Sequence, residues 1–182
     1  MNPLFVGEKV RLTSFNKHDI THVERWYTDS DFLRRYDALP AVPQNHDQLE
    51  KNFQERIDDK NVYLFAIRPT DGKTDDLLGW LEVDGIIWAH RVCWISIAIG
   101  DSQQQGHGYG YDAMRLALNF IFGELNLYRV QLTVFDYNTP AIALYEKLGF
   151  THEGTFRQFL QRDTARHDMR LYGLLADEWL EK

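Results

Sequence analysis

A single domain of mixed α/β class, with a central sheet of about six or seven strands flanked by about four helices, follows from three observations. The chain has 182 residues, 44% of them hydrophobic, enough to close one sizeable core. Segments of period two and segments of period three to four succeed one another as strand, two helices, three strands, helix, strand, helix, two strands. That order is not the strict alternation of a doubly wound sheet. No repeat, low-complexity tract or interdomain linker interrupts the series, so residues 1–182 are expected to form one domain.

The elements follow in order. Residues 9–15 alternate polar and apolar side chains, as a half-buried strand does. Over residues 18–28, Ile20, Val23, Trp26 and Tyr27 recur at helical spacing, and Leu49, Phe53 and Ile57 repeat the pattern over residues 48–57. Between these two helices, Pro40 and Pro43 deny regular helix to residues 37–45, making that loop a candidate substrate cover. Residues 61–67 form a strand, Asp71-Gly72-Lys73 a turn, and residues 77–83 and 92–99 two further strands. Helical periodicity returns over residues 108–123 through Met114, Leu116, Ala117, Leu118, Phe120 and Ile121. Residues 129–135 alternate as a strand, and residues 140–148 form a helix with Pro140 in its first turn and Gly149 as its stop. Strands at residues 151–157 and 166–175 complete the series.

Charge narrows the partners. Twenty Lys and Arg against twenty-seven Asp and Glu leave a formal charge of −7, which opposes adhesion to nucleic acid or an anionic membrane and favours a cationic substrate. A local anion site remains open to such a chain, because backbone N–H groups at a helix start attract phosphate without a basic side chain. Cys93 is the sole cysteine, so neither an internal disulfide nor a Cys-pair zinc knuckle is expected. The first residues lack a basic leader followed by an apolar run, and no segment approaches the ~18 apolar residues of a membrane span. The cytoplasm is therefore the expected compartment.

The strongest chemical signal is Ile97-Ala98-Ile99 at the end of a strand, followed by Gln105-Gly106-His107-Gly108-Tyr109-Gly110 opening a helix. Glycines let a backbone approach a pyrophosphate closely, and the unpaired N–H groups of the first helical turn then point at it. The dinucleotide fingerprint would need glycine at position 111, where Tyr111 stands. The Gly-Lys-Ser/Thr of a P-loop does not occur.

Downstream the chain reads Asn138-Thr139-Pro140-Ala141-Ile142-Ala143-Leu144-Tyr145-Glu146-Lys147-Leu148-Gly149-Phe150. Together with Gln105-x-x-Gly108-x-Gly110, this resembles the GNAT superfamily of N-acetyltransferases. Glu153-Gly154-x-x-Arg157 is similar to the Rim branch, the ribosomal-protein N-terminal acetyltransferases. The resemblance spans residues 10–172 and is motif-dense over residues 95–157. It implies a GNAT-like fold splayed at the site of acetyl-coenzyme A, the acetyl donor, and direct transfer to a primary amine, either a protein N-terminus or a small molecule. It further implies that the backbone of Gln105, Gly106, His107, Gly108, Tyr109 and Gly110 holds the pyrophosphate and that Ile97, Ala98 and Ile99 pair with the pantetheine arm. Asn138 contacts that arm and Tyr145 faces the sulfur as the acid. Positions 138 and 145 are seven apart, one face of a helix two turns long, so both can reach one extended ligand. Each has an ordinary alternative, a core aromatic for Tyr145 and a helix cap for Asn138.

Amide formation needs a neutral amine, whereas reference pKa values are near 8 for an α-amino group and ~10.4 for lysine, so a base is required. The glutamate that many Rim-like chains carry before the glycine turn is missing from Cys93-Trp94-Ile95-Ser96. Glu82 is the first candidate base, a carboxylate in the apolar run Trp80-Leu81-Glu82-Val83, with Asp84 and His90 as alternatives and a solvated strand face as its plain reading. Cys93 reads as a small buried apolar residue, and His18 with His22 lack a third ligand, so no metal is expected. Arg34, Arg35, Arg157, Arg162 and Arg166 are candidates for the adenosine 3′-phosphate or an acidic acceptor, with solvation or pairing to surface acids as their ordinary reading. Trp26, Tyr27, Phe32 and Tyr36 are candidates for an acceptor pocket, although the helical spacing of Trp26 and Tyr27 favours the core. Exposed strand edges make a homodimer reasonable. The competing functional reading is a non-catalytic acyl-coenzyme A sensor, against which the presence of Tyr145 argues.

Overall fold

Seven strands are present in the computed structural model, which describes residues 3–71 and 76–180: β1 Val10–Ser14, β2 Tyr63–Pro69, β3 Gly79–Ile87, β4 Val92–Ile99, β5 Arg129–Phe135, β6 Thr151–Arg162 and β7 Ala165–Leu175. They form one sheet in the order β1-β2-β3-β4-β5-β7-β6. Every neighbouring pair is antiparallel except β4 and β5, which run parallel. Six helices accompany them: α1 Ile20–Trp26, α2 Ser30–Tyr36, α3 His46–Asp58, α4 Tyr109–Asn119, α5 Thr139–Leu148 and α6 Ala176–Leu180.

Both faces of the sheet are covered, which is why Gly79 to Val83 at the start of β3 is buried without interruption instead of alternating. Leu81, Ile95 and Val130 pack with Met114 and Leu118 of α4 and with Ile142 and Tyr145 of α5 in one core. On the opposite face Trp80 and Ala98 pack with Ile20 and Val23 of α1, Phe32 of α2 and Phe53 of α3 in another. Trp80 is completely buried, with Trp26 stacked on it at 5.9 Å and Phe53 edge-on at 5.4 Å.

All seven expected strands form, and differences lie at their ends. The strand expected from residue 77 starts at Gly79 and runs on to Ile87, and the last two strands extend into a long hairpin, Thr151–Arg162 with Ala165–Leu175. Gly72 and Lys73 of the expected turn lie outside the described residues. The helix expected from residue 48 starts at His46, because Asn45 and Gln48 form a reciprocal capping box: each backbone N–H donates to the other's side chain at 3.0 Å. The helix expected over residues 18–28 opens with a 3-10 turn at Lys17–Asp19, and the one over residues 108–123 ends in a π turn at Phe120–Glu124. Helices α2 and α6 add to the four expected. The start of α2 is fixed by the Asp29 side chain, which accepts from the Asp31 N–H at 2.9 Å.

Candidate active site

The sheet opens between β4 and β5. Their parallel pairing covers only Val92, Cys93 and Trp94 against Arg129, Val130 and Gln131, although β4 continues to Ile99 and β5 to Phe135. The far edge of β5 is paired with β7 along its whole length, and that of β4 with β3. The facing edges beyond Trp94 and Gln131 are thus left to something other than each other, as a splayed sheet that accepts an extended ligand requires. A cleft of about 590 Å³ fills the opening.

One end of the cleft is the glycine turn. Gly106 and Gly108 adopt φ of 79° and 85°, left-handed values that favour glycine, and Gly108 is the N-cap of α4. The first bond of this helix runs from the Asp112 N–H to the Gly108 carbonyl at 3.1 Å, so the N–H groups of Tyr109, Gly110 and Tyr111 precede the intrahelical ladder. The buried Asp112 carboxylate anchors this turn to β1 by accepting from the Lys9 and Val10 N–H groups at 2.8 and 3.0 Å. Lys9 closes the anchor with its ammonium, which donates to the His107 carbonyl at 2.7 Å.

Most residues expected at the site meet in this cleft. Ile97, Ala98, Ile99, Gln105, Gly106, Gly108, Tyr109 and Gly110 line it from the β4 side, Asn138 and Tyr145 from α5. Asn138 occupies the N-cap position of α5 without a side-chain cap bond; its amide instead reaches the Arg35 carbonyl at 3.4 Å. Tyr145 is buried against Phe150 and Tyr172, and burial pushes its phenol up to about 12. Its hydroxyl has no hydrogen-bond partner among the described residues, leaving it open to a ligand group. His107 contributes its backbone to the turn, while its ring turns to the Gln103 carbonyl at 3.1 Å and does not line the cleft.

Glu82 is not in the cleft wall either. It is buried on β3 opposite Ser96, which does line the cleft, and cross-strand partners share a face of the sheet. Burial raises its carboxyl above the usual range, against the opposing pull of the Arg56 guanidinium, whose Nη1 lies 3.3 Å from Oε2. The same Nη1 donates to the Tyr36 hydroxyl at 3.4 Å, and the Trp80 indole donates to that oxygen at 3.2 Å. Asp84 is likewise raised by burial. His90 stands exposed in the 3-10 turn Trp88–His90, outside the cleft.

The other end of the cleft is walled by Phe32, Arg35 and Tyr36 of α2, by Asp37 and Ala38 after it, and by Met169 of β7. Of the four aromatics expected there, Phe32 and Tyr36 serve, whereas Trp26 and Tyr27 pack in the core. The expected cover loop contributes Asp37 and Ala38 and is pinned: Arg162 donates to the carbonyls of Asp37 at 2.7 Å and Leu39 at 3.3 Å. Arg34 pairs with Asp163 at 2.7 Å, and the Tyr137 hydroxyl donates to the Arg34 carbonyl at 2.5 Å. Arg34 and Arg162 are therefore structural ties between α2, its loop and the β6–β7 hairpin, the pairing expected of such arginines in place of a phosphate role.

Cys93 is buried and its thiol is pushed up to about 12, chiefly by burial, so it is not a nucleophile near neutral pH. Among the described residues no three His, Cys, Asp or Glu side chains gather to hold a metal, and no helix is long and apolar enough to cross a membrane. Arg56, Ser96, Met169 and Lys147 went unnoticed in the sequence. Arg56, which stands behind the cleft against Glu82, and Met169 come from elements whose one expected site residue is Arg166, whereas Ser96 directly precedes Ile97 on β4 and Lys147 lies inside the acetyltransferase-like motif itself.

Residues 9–151 match the acetyltransferase (GNAT) domain family. The spermidine N(1)-acetyltransferase of Vibrio cholerae serotype O1 is 27% identical over 177 residues, 97% of this chain and 99% of the relative. The L-amino acid N-acetyltransferase AaaT of Escherichia coli K12 is 31% identical over 150 residues, 79% of this chain and 89% of the relative. In three dimensions, the spermidine N-acetyltransferase from Vibrio cholerae in complex with CoA and spermine superposes with a TM-score of 0.83 at 23% identity, covering 94% of this chain and 98% of that one. These relatives are named for small amines, which supports the wider superfamily and not its Rim branch in particular.

Proposed function

This chain belongs to the GNAT acetyltransferase family and is an acetyl-coenzyme A-dependent N-acetyltransferase, and from that premise we propose that the β4–β5 cleft seats the donor and that the acceptor is the primary amine of a small molecule. The residues present fit the donor. Left-handed Gly106 and Gly108 and the N–H groups that open α4 suit a pyrophosphate, and the unpaired β4 edge over Ile97, Ala98 and Ile99 suits the amides of a pantetheine arm.

In this reading the amine nitrogen attacks the thioester carbon, the C–S bond breaks, and the departing sulfur takes the Tyr145 proton. At about 12 the phenol is a weaker acid than a thiol of reference value about 8.5, so it steadies the departing sulfur chiefly as a hydrogen-bond donor, and the transfer is completed only as solvent returns a proton to Tyr145. Glu82, buried behind the cleft wall opposite Ser96, is the base and takes the amine's proton through an intervening water. Solvent then restores both groups.

One observation supports the choice of a small acceptor over a protein N-terminus: the acceptor end is walled by α2 and residues Asp37 and Ala38, which Arg162 ties to the hairpin. The spermidine and amino-acid relatives and the net charge of −7 agree with a small cationic amine. The test is thiol release from acetyl-coenzyme A with polyamines, amino acids and peptides with free N-termini. Turnover confined to small amines is expected, and preferential turnover of the peptides would overturn this choice.

A further inference from the structure

The Tyr36 hydroxyl accepts two hydrogen bonds, from the Arg56 guanidinium at 3.4 Å and from the Trp80 indole at 3.2 Å. With both donors in place, the oxygen can add a further partner only by donating its own proton. No acceptor for that proton lies within hydrogen-bond distance among the described residues. Trp80 pairs across the sheet with Ala98, and Ala98 and Tyr36 both line the cleft, so this donor stands at the cleft's acceptor end.

Arg35 is the neighbour of Tyr36 on that wall, and of the arginines expected to meet an acidic acceptor it is the one that lines the cleft. It forms no ion pair among the described residues, although Asp31 stands one helical turn before it. The cations around it are engaged: Arg34 with Asp163, Arg162 with loop carbonyls and His167 with Asp136. The end of α2 that presents Arg35 and Tyr36 is fixed, because the Tyr137 hydroxyl donates to the Arg34 carbonyl at 2.5 Å and the Asn138 amide to the Arg35 carbonyl at 3.4 Å. Asp37 is the one carboxylate among the lining residues, and one of its oxygens already takes the Leu39 N–H at 3.0 Å. The acidic excess of the chain therefore lies outside the cleft wall, and a polyamine would set an ammonium against donors.

We propose that the acceptor is an amine carrying a carboxylate on the same small skeleton, as an amino acid does, and that Arg35 and the Tyr36 hydroxyl bind this carboxylate. This rests on the reading that the cleft acetylates a small amine, and it narrows that acceptor to a zwitterion. A guanidinium fork matches a planar carboxylate, and a phenol O–H adds a directed bond to it. Neither group offers a lone pair to an ammonium. Holding the carboxylate leaves the amine as the free end of the substrate, the end that must react.

The test is kcat/KM per unprotonated amine for amino acids, their carboxamides, polyamines and peptides with free N-termini. It uses the full chain as wild type, Arg35→Met, Arg35→Lys and Tyr36→Phe, each checked for its melting temperature. Arg35 is exposed, so its variants should fold as wild type does. Wild type is expected to favour amino acids over their carboxamides by roughly 10- to 100-fold, the size of one hydrogen-bonded charge contact. Arg35→Met should bring the two to nearly equal rates, Arg35→Lys should keep part of the preference, and Tyr36→Phe should reduce it, chiefly through KM. An absent preference in wild type, a preference undiminished by Arg35→Met, or polyamines turned over faster than every amino acid would overturn the proposal. Turnover of peptides alone, or of no amine, would instead overturn the small-amine reading on which it rests.

Discussion

Arg56 on α3 reaches Glu82 on β3 across 3.3 Å, joining a helix of one layer to a buried carboxylate of the sheet behind the cleft. Burial drives the Glu82 carboxyl above its ordinary 4.5 while Arg56 pulls it back, so the group stays a usable carboxylate of enhanced basicity. If it is the base, turnover rises with pH through a value above 4.5. Glu82→Gln should lower kcat/KM by roughly 10²-fold at neutral pH and flatten that limb. The sign of linkage separates chemistry from folding. A raised folded value means Glu82 stabilises the fold relative to the unfolded chain below 4.5 and loses that contribution as pH rises through the folded value. A gain of activity over the same range therefore cannot come from this group tightening the fold. An unaltered pH–rate profile in Glu82→Gln would remove it from the mechanism.

Tyr145→Phe keeps the ring that packs against Phe150 and Tyr172 and removes only the hydroxyl. We expect kcat to fall by roughly 10²-fold or more, with the acetyl-coenzyme A dissociation constant nearly unchanged. Because the phenol sits near 12 instead of 10.0, it stays protonated through pH 10, and no alkaline loss of turnover below that pH should trace to it. Stopped-flow thiol release with parallel calorimetry measures both quantities. Equal turnover by the two proteins would leave the sulfur to be protonated by another donor.

Local pattern carried the strands, the glycine turn and α5, because each is set by side chains within one turn or one alternation of each other. Trp80 shows where that ends: its burial is legible in an apolar run, but its indole bond to Tyr36, 44 residues earlier, is not. Helix α2 was hidden because its buried Phe32 and Leu33 are adjacent and its cap is a single Asp29, too short a stretch for periodicity to register. Tyr145 and Asn138 are marked by a motif, and both line one cleft. For Arg34 and Arg162 the sequence leaves a phosphate role and a structural pairing both open, because it shows charge and not its partner, and here the partners are Asp163 and two loop carbonyls.

Gly108→Ala tests the turn. A side chain there must hold φ of 85°, at a cost of roughly 1–2 kcal/mol, and its Cβ would meet the Lys9 ammonium at 3.1 Å, disturbing the bond to His107. The lysine end is flexible, so the fold should survive while the turn shifts. We expect a melting temperature lower by a few degrees and a weakened affinity for acetyl-coenzyme A, with Lys9→Met producing a smaller effect of the same kind. Wild-type affinity in Gly108→Ala would show that the turn geometry is not part of donor binding.

Asp19 and Arg68 form an ion pair with side chains 4% and 5% exposed, in which one guanidinium nitrogen contacts both carboxylate oxygens at 2.8 and 2.9 Å. Asp19 also accepts from the Asn16 N–H, closing the capping box that starts the 3-10 turn leading into α1. Removing Asp19 takes from the buried Arg68 guanidinium the carboxylate that both the 2.8 and the 2.9 Å bonds reach, so Asp19→Ala should cost about 3 kcal/mol or more. In a domain of this length that is roughly 6 °C of melting temperature or more. Replacing both residues by apolar ones, Asp19→Leu with Arg68→Met, should recover much of the loss, because the desolvation cost of the pair disappears with its attraction. The consequence reaches the site, since α1 carries Trp26, which stacks on Trp80, whose indole holds the Tyr36 hydroxyl at the cleft wall. The single variant should therefore lose affinity for the amine before it loses affinity for acetyl-coenzyme A, which binds at the far end. Equal loss of both in thermal-shift and kinetic measurements below the melting transition would deny that this path connects the pair to the acceptor end.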